Sequence, residues 1–300
     1  AVSHACRDNL VLRAHLESPH NHVCIIPNAT DASKFTPDPS QRPKTGRIQV
    51  VVVSRLVYRK GVDLLVGVIP EICRDLPNVD FLIGGDGSKL LELQEMIEQE
   101  RLEERVTILG AIPHKEVRNV LVQGHVFLNC SLTESFCIAI LEAALTGLLV
   151  VSTNVGGVPE VLPPEFIKLA QPCVPDLVKQ LKEAVVQQSR STLDPWHMHE
   201  KIESMYSWER VASETVDVYD TIMDAGDSDD CSSSFQRRIA RYYTALDGGI
   251  PGIVVALLSI ILTGWLRIVE YLQPPSNIDV IPDIWEDSDI CRENTTTQKH

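Results

Sequence analysis

This 300-residue sequence lacks the cysteine and histidine patterns that hold metals or build disulfide frameworks. Its eight cysteines are scattered, no two of them form a CxxC pair, and there is no HExxH motif. Residues 47–223 contain no Asp-x-Asp pair and no Ser-His-Asp pattern. We therefore expect mostly buried, reduced thiols in a cytosolic domain. Nothing in these residues supports covalent catalysis, and we expect no metal and no cofactor.

Positive charge is also scarce. The formal net charge is −14 and the pI is about 5.1, whereas a nucleic-acid-binding protein needs a basic face. We therefore expect no nucleic-acid partner. The chain begins at Ala1 without Met and without a charged-then-apolar leader. We expect no signal peptide, and the pattern is typical of a fragment.

What the sequence does contain, from residue 47 onward, is an alternation of apolar runs and helical patterns. The apolar runs cover 47–54, 79–87, 105–110, 125–131 and 148–153, and the helical stripes cover 62–76, 89–102, 115–124 and 135–147. Apolar strands joined by helices predict a parallel sheet covered on both faces. We predict a doubly wound α/β domain over about 47–190, with ligands at the carboxyl ends of its strands.

The chain divides into five predicted segments. They are a domain remnant with a connector (1–46), a Rossmann-like domain with a closing helix at 207–223 (47–223), an acidic, Ser-rich linker with a basic juxtamembrane part (224–247), a transmembrane helix (248–270) and a tail (271–300). Within the first segment, residues 23–31 predict a short strand that ends in a turn at Pro27.

The transmembrane prediction rests on residues 248–266, nineteen residues without a charge. A membrane span needs about 20 apolar residues, and a buried core helix is the alternative. Arg237, Arg238 and Arg241 precede this segment, whereas acidic residues dominate after it. The positive side is expected in the cytosol, which places the tail 271–300 in a lumen.

The most unusual stretch for an acidic chain is "SRLVYRKG" (54–61), which directly follows an apolar strand. A strand-to-helix loop exposes backbone N–H groups and the positive end of a helix. With Arg55 and Lys60 added, the loop is suited to a diphosphate. Solvated surface cations are the alternative, and Arg59 is interpreted as one of these.

Two carboxylates stand out in "TESFCIAILEAALTG" (133–147). Glu134 precedes the predicted helix and Glu142 lies inside it, so both can face one mouth of the sheet and accept hydrogen bonds from vicinal hydroxyls. The N–H groups of Phe136, Cys137 and Ile138 open the helix and could face a phosphate. The alternatives are helix N-terminal charge for Glu134 and a solvated face for Glu142, although apolar neighbours make the second unattractive.

Two glycine turns follow other strands. Gly85 in "GGDG" (84–87) permits close approach of a ligand, although a plain tight turn is equally consistent with it. In "NVGGVPE" (154–160), Glu160 could accept another hydroxyl, with an ordinary loop as the alternative. His114 and His125 are interpreted as structural.

Taken together, these motifs resemble the retaining glycosyltransferases of family 4. The likeness rests on "SRLVYRKG", the E-x7-E pair of "ESFCIAILE", "EAALTGLLVVSTNVGGVPEVL" and the closing "SWERVA", with "IIPNATD" and "LIGGDG" in support. It covers about 20–220, and it is closer still to the members that begin synthesis of GPI anchors. Cys137 and Ser88 depart from the family pattern, which favours Gly and Pro there.

The resemblance implies a GT-B fold of two Rossmann-like domains, of which this chain holds the C-terminal, donor-binding one. It implies that Arg55 and Lys60 hold the diphosphate of UDP-GlcNAc and stabilise the leaving UDP. Glu134 and the backbone at 136–138 would hold the sugar, and Glu142 the ribose. The implied chemistry retains the anomeric configuration without a metal or an assigned protein nucleophile.

The resemblance also implies an acceptor, a place and partners. The acceptor would be phosphatidylinositol at the cytosolic face of the endoplasmic reticulum membrane, and other subunits of a membrane transferase complex would be partners. Two alternatives stay open: an inactive interaction module of such a complex, or a relative that uses another sugar nucleotide, such as a mannosyltransferase. Of the sequons at Asn28, Asn129 and Asn294, only the last is expected in the lumen.

Overall fold

The computed structural model describes residues 1–14, 23–44, 46–190, 193–226, 243 and 249–272. The chain divides into two compact units, 1–221 and 222–300. Most of the predicted linker (224–247) and tail (271–300) lies outside the described residues. Cys231, Cys291, Asn294 and the three arginines before the predicted span do so as well.

A six-stranded parallel sheet forms the centre of the first unit. Its strands are β1 (Ile48–Val53), β2 (Val79–Gly84), β3 (Val106–Gly110), β4 (Val126–Asn129), β5 (Leu149–Thr153) and β6 (Ile167–Ala170). Their spatial order is β3-β2-β1-β4-β5-β6, the doubly wound order of Rossmann-type sheets. The predicted fold class is therefore confirmed, and β6 is a strand that the sequence reasoning missed.

Helices connect the strands and continue the chain beyond them. They are α1 (His4–Ala14), α2 (Val62–Asp75), α3 (Leu90–Glu100), α4 (Val117–Leu121), α5 (Ile138–Leu145), α6 (Val174–Ser189), α7 (Pro195–Met205), α8 (Trp208–Gly226) and α9 (Ile250–Leu272). The helices α6 and α7 also lay outside the sequence predictions. The predicted helix 115–124 is shorter, and a 3-10 turn at His114–Glu116 precedes it.

Alternate residues of the strands enter two separate cores. Val50 and Val52 of β1 belong to one core, which contains the buried stripe of α2. Val51 belongs to the other, which contains most of α5. Because both faces of the sheet are covered, the strands are apolar throughout, and this is why no strict alternation is visible in the sequence.

The strand order reverses between β1 and β4, which are direct neighbours although they are distant in sequence. At such a switch point the two following helices turn to opposite faces, and a crevice opens at the carboxyl ends of the strands. The loops that follow β1 and β4 carry "SRLVYRKG" and "SLTESFC". The fold therefore brings together the two stretches that carry most of the charged candidate site residues.

The predicted strand at 23–31 is wrong. These residues have no regular secondary structure, although the Ile26 N–H donates to the Ala1 carbonyl at 2.8 Å. Short 3-10 turns follow at Ala32–Phe35 and Pro39–Gln41. Pro27 removes a backbone donor from the middle of the segment 23–31, which disfavours its pairing in a sheet.

Helix α9 is long and apolar enough to cross a membrane. It has 23 residues, which corresponds to about 34 Å at about 1.5 Å per residue. Its stretch Ile250–Val269 has a mean hydropathy of 2.2 and is 6% buried. A buried core helix, the alternative left open by the sequence, does not fit that exposure.

Candidate functional site

Three cavities lie among the loops at the carboxyl ends of the strands. We name them by a lining element: the Glu134 cavity (430 Å³), the Glu142 cavity (440 Å³) and the α1 cavity (670 Å³). The predicted site residues divide between the first two. The Glu134 cavity is lined by Lys60, Glu134, Phe136, Cys137 and Ile138, and the Glu142 cavity by Arg55, Gly85 and Glu142.

In the Glu134 cavity, the two charged residues form an ion pair. Lys60 Nζ contacts Glu134 Oε1, and both side chains are largely shielded from solvent. The Ser131 hydroxyl donates to the same carboxylate oxygen at 2.8 Å. Ser131 lies two positions after the end of β4 and was missed, although its place near a strand end was a usable signal. The pair fixes an ammonium and a carboxylate side by side at the mouth of the sheet.

Helix α5, which lies within the motif 133–147, starts later than the predicted residue 135. Residues 135–137 lie in a bend outside the helix, and α5 begins at Ile138. Cys137 has a φ of 78°, a left-handed conformation that glycine adopts without strain. The position where the resembling family favours Gly is thus one where the backbone requires it. Burial raises the pKa of the Cys137 thiol to about 12, so the thiol is not a nucleophile at neutral pH.

In the Glu142 cavity, the carboxylate is buried at 7% exposure, which excludes the solvated-face alternative. Its Oε1 lies 3.1 Å from His114 Nε2, and that imidazole is itself mostly exposed. Burial raises the pKa of the Glu142 carboxyl, and the contact with His114 offsets this only in part. The structural interpretation of His114 is therefore incomplete, because His114 lines this cavity. Its place in the loop after β3 could have indicated this.

Arg55 lies at the rim of the Glu142 cavity. It is exposed and makes no ion pair among the described residues, so its guanidinium is available to an anion. Lys60 and Arg59 belong to the Glu134 cavity instead. The single loop 54–61 therefore supplies cations to two neighbouring cavities. Arg59 is exposed, as predicted for a solvated cation, but it also lines two of the cavities.

Two glycines allow these loops to approach each other. A Cβ on Gly61, whose φ is 70°, would overlap the Cys130 carbonyl oxygen. A Cβ on Gly85, whose φ is 146°, would overlap the Ser54 carbonyl oxygen. Gly85 thus has a packing reason to be glycine that is independent of any ligand, and its role as a ligand contact stays a prediction.

Glu160 does not face a cavity as a free hydroxyl acceptor. Its carboxylate accepts from the backbone N–H groups of His4 at 2.7 Å and Ala5 at 3.0 Å, and it contacts the His4 ring. Burial acts to raise its pKa, but these hydrogen bonds bring the pKa of Glu160 below its usual value. The ordinary-loop alternative is therefore closer to the structure: Glu160 holds the first turn of α1.

The predictions for His125 and for the cysteines had different outcomes. His125 is structural as predicted: Gln49 N–H donates to its Nδ1 at 3.0 Å, and burial lowers the pKa of His125 to about 4. Of the cysteines in the described part of the chain, all are free. Cys24 and Cys173 are exposed rather than buried, since they lie in a loop and at the start of a helix.

The described residues hold no group of three or more His, Cys, Asp or Glu side chains that could bind a metal ion. The groups that could hold a ligand are instead cations, carboxylates and backbone N–H groups around the switch point. This set matches a phosphorylated, hydroxyl-rich compound, because cations bind phosphate and carboxylates bind vicinal hydroxyls.

A parallel sheet with such a crevice at its switch point is typical of an α/β domain of the glycosyltransferase class. Residues 34–192 match the family described as glycosyl transferases group 1, and the chain belongs to that family.

Two curated relatives extend the likeness over almost the whole chain. One is a phosphatidylinositol N-acetylglucosaminyltransferase subunit of Arabidopsis thaliana, which is 48% identical over 94% of this chain. The protein of the same name from Homo sapiens is 46% identical over 94% of this chain. The chain spans 61% and 56% of the lengths of these two relatives.

Among solved structures, Anabaena Alr3699/HepE in complex with UDP has a TM-score of 0.64 to this chain at 19% identity. The match covers 74% of this chain and 63% of that one. At this identity the likeness bears on the fold alone, and it agrees with the GT-B class expected from the sequence.

Proposed function

We propose that this chain is the donor-binding part of a transferase that moves GlcNAc from UDP-GlcNAc to phosphatidylinositol, the first step of GPI-anchor synthesis. The observation that carries the proposal is the pairing of two cavities at the switch point. One contains a carboxylate joined to a lysine, and the other a buried carboxylate beside a free arginine. The names of the curated relatives support the choice of sugar and acceptor.

The Glu142 cavity is assigned to the nucleoside. Two ribose hydroxyls can donate to the carboxylate of Glu142, and the apolar side chains of Ile112 and Val117 beside it suit a flat base. Arg55, at the rim, then contacts the diphosphate. A buried carboxylate is stable here once it accepts hydrogen bonds, because those bonds replace the water that burial removed.

The Glu134 cavity is assigned to the sugar and the distal phosphate. Lys60 supplies a positive charge to the phosphate, and Glu134 accepts from sugar hydroxyls. Residues 136–138 line the same cavity at the start of α5, where the helix end favours an anion.

The chemistry follows from the charges. When the bond between the sugar and UDP breaks, negative charge grows on the leaving diphosphate. Arg55 and Lys60 are placed to stabilise that charge, which lowers the barrier electrostatically. The proposed reaction retains the anomeric configuration and uses neither a metal nor a covalent protein intermediate.

We place the protein in the endoplasmic reticulum membrane through the single span at α9. The catalytic domain would face the cytosol and the tail 271–300 the lumen. Asn129, a sequon residue, is buried in β4 and donates to Ser152 Oγ at 2.8 Å, so the folded domain leaves no room for a glycan there. The word "subunit" in the relatives' names supports the presence of further proteins in a complex with this one.

Calorimetric titration of the full chain in nanodiscs with UDP tests the donor assignment. UDP is expected to bind, and Arg55→Ala and Lys60→Ala are each expected to weaken it about tenfold or more. Arg190→Ala is the matched control, because Arg190 is an exposed arginine at the end of α6. Absence of binding by the unmodified chain would overturn the proposal.

Transfer of radiolabelled GlcNAc to phosphatidylinositol by microsomes that carry this chain as their only copy of the transferase tests the reaction. Transfer would exclude an inactive interaction module. Competition between UDP-GlcNAc and GDP-mannose in the titration would separate this donor from that of a mannosyltransferase. Stronger competition by GDP-mannose would favour the mannosyltransferase alternative.

A further inference from the structure

Behind Glu134, three polar side chains that line none of the three cavities form a buried chain of hydrogen bonds. Asn129 is 7% exposed, and Ser131 and Ser152 are 0% exposed. The Asn129 amide donates to Ser152 Oγ at 2.8 Å. The Ser131 hydroxyl lies 2.9 Å from Asn129 Oδ1 and 2.8 Å from Glu134 Oε1. The chain of hydrogen bonds therefore ends on the carboxylate that is assigned to the sugar.

The sheet by itself gives no reason for an amide at the end of β4. The three preceding residues, 126–128, are apolar and 0–1% exposed. Burial of an apolar side chain there is favourable, whereas a buried amide costs free energy unless it is hydrogen-bonded. Asn129 is bonded across the sheet to Ser152, its register partner in β5. A satisfied, buried polar chain that leads to a charged group indicates a role in the site.

Two donors meet at one oxygen of Glu134. Lys60 Nζ and the Ser131 hydroxyl both contact Oε1. A carboxylate oxygen has two lone pairs, so these two donors occupy Oε1 and fix the rotation of the carboxylate. A further hydroxyl, such as one on the donor sugar, must then use Oε2. The orientation of Glu134 toward a ligand thus depends on both donors.

The Ser131 hydroxyl is itself restricted in direction. It carries one proton and has two acceptors within reach, Asn129 Oδ1 and Glu134 Oε1. The bond to the charged acceptor is the stronger one, and Asn129 limits where else the hydroxyl can point. Ser131 therefore holds Glu134, and Asn129 holds Ser131.

The backbone of this loop is held as well. The Leu132 N–H donates to the Arg59 carbonyl at 2.9 Å, and the Gly157 N–H donates to the Glu134 carbonyl at 3.0 Å. These bonds join the loop after β4 to the loops after β1 and β5. With the backbone fixed, the direction of the Glu134 side chain is set by its side-chain partners.

We infer that Ser131 and Asn129 are positioning residues for the sugar end of the donor site. Ser131 orients the Glu134 carboxylate so that Oε2 accepts from the sugar, and Asn129 keeps the Ser131 hydroxyl in place. This inference rests on the proposed function, since it explains how the carboxylate assigned to the sugar keeps its orientation. Because neither residue lines the Glu142 cavity, their effect is confined to the sugar and does not extend to the nucleoside.

The test compares the affinities of the full chain in nanodiscs for UDP and for UDP-GlcNAc, measured by calorimetric titration. Ser131→Ala is expected to weaken UDP-GlcNAc about fivefold and to leave UDP within about twofold. A merely structural defect would lower both affinities alike.

Thr146→Val is the matched control for the loss of one buried hydroxyl. Thr146 is 1% exposed, and its hydroxyl donates to the Ala143 carbonyl at 2.8 Å at the other end of α5. The ratio of the two affinities should be the same as in the unmodified chain. If Thr146→Val lowers UDP-GlcNAc affinity as much as Ser131→Ala does, the inference is overturned.

Double-mutant cycles test whether the effect passes along the chain of hydrogen bonds. If Ser131 acts through Glu134, Ser131→Ala should cause no further loss of UDP-GlcNAc affinity in a Glu134→Ala background. Asn129→Ala should weaken UDP-GlcNAc about threefold alone and should add nothing to Ser131→Ala. Additive losses in either cycle would overturn that link. Ser131→Ala removes a single oxygen atom, so the first cycle decides the inference even if Asn129→Ala fails to fold.

The failure of this inference differs from the failure of the proposed function. If the unmodified chain binds no UDP, the proposed function fails, and this inference fails with it. If the unmodified chain binds both ligands, and Ser131→Ala binds them equally well or loses both equally, the positioning role is wrong and the donor assignment stands.

Discussion

Glu134 and Glu142 stand eight positions apart in one motif, yet their surroundings differ in kind. Glu134 lies in an ion pair with Lys60 and accepts from Ser131. Glu142 lies among apolar side chains with a single polar partner, the exposed His114. The comparison teaches that one carboxylate is paired with a neighbouring cation, whereas the other is buried without one and pays a desolvation cost that a ligand could offset.

The largest expected effect is on the loop that supplies Lys60 to the Glu134 cavity. Gly61→Ala places a Cβ against the Cys130 carbonyl in a left-handed conformation, so the loop must move. We expect a loss of about 4 kcal/mol or more in the free energy of unfolding, or failure to fold, measured by denaturant titration of the full chain.

Gly110→Ala is the matched control for that change. Gly110 has nearly the same φ, 72°, but nothing lies within 4 Å of its Cβ position. It should lose only about 1 kcal/mol through backbone strain. Equal losses in the two variants would show that close approach of the loops to each other is unimportant.

The next effect concerns the ion pair itself. Lys60→Ala leaves Glu134 partly buried without its cation, which should cost about 1–3 kcal/mol of stability. It should also weaken UDP binding more than tenfold, measured by calorimetry. Lys60→Arg keeps the charge and should retain most of both. A fully stable Lys60→Ala variant would contradict the role of the pair.

Lys60→Ala should lower both stability and UDP affinity, whereas a change at Glu142 should lower UDP affinity without lowering stability. Glu142→Gln removes a carboxylate whose pKa burial raises, so the melting temperature should be unchanged or higher. UDP affinity should fall about tenfold, because an amide accepts fewer hydroxyl hydrogen bonds. Glu134→Gln is the matched control: it should lower the melting temperature, and it should weaken UDP-GlcNAc more than UDP.

The pH dependence follows from the same difference. The pKa of Glu142 is raised, so its unfavourable ionised form is present above that pKa and disappears as the pH falls through it. UDP affinity should therefore decrease between neutral pH and the usual glutamate range, while the destabilising contribution of Glu142 is relieved. His114 and Asp86 also line the cavity, so the comparison with Glu142→Gln is essential. If Glu142→Gln keeps the same pH profile, the effect does not come from Glu142, and the terminal phosphate of UDP, which titrates at about pH 6, is the first alternative.

The smallest expected effect concerns the backbone conformation of Cys137, which lies between Glu134 and Glu142 in the chain. At Cys137, glycine relieves the left-handed strain that alanine retains, whereas both lose the buried thiol. Cys137→Gly should therefore be more stable than Cys137→Ala by about 1 kcal/mol, which reverses the usual order of these two residues. Thermal unfolding of the two variants in parallel gives the sign, and the usual order would show that strain at 137 is not significant.

Local sequence patterns were sufficient to predict the parallel sheet and the loops that carry the candidate ligand-binding groups. The apolar runs of β1 to β5 and the stripe of α2 repeat at short range, so they are visible without knowledge of the fold. The burial of Glu142 could also be expected, because its sequence neighbours are apolar. The sequence missed β6 and α6, whose patterns are shorter or follow an irregular loop.

By itself, then, the sequence determined the class of fold, the apolar span and the residue types available at the strand ends. The tertiary structure alone decided which of these residues contact each other: Lys60 contacts Glu134, His114 contacts Glu142, and Glu160 contacts the start of α1. The last contact joins residues 156 positions apart. Such pairings depend on which loops the strand order brings together, and a pattern that extends over a few residues cannot contain that information.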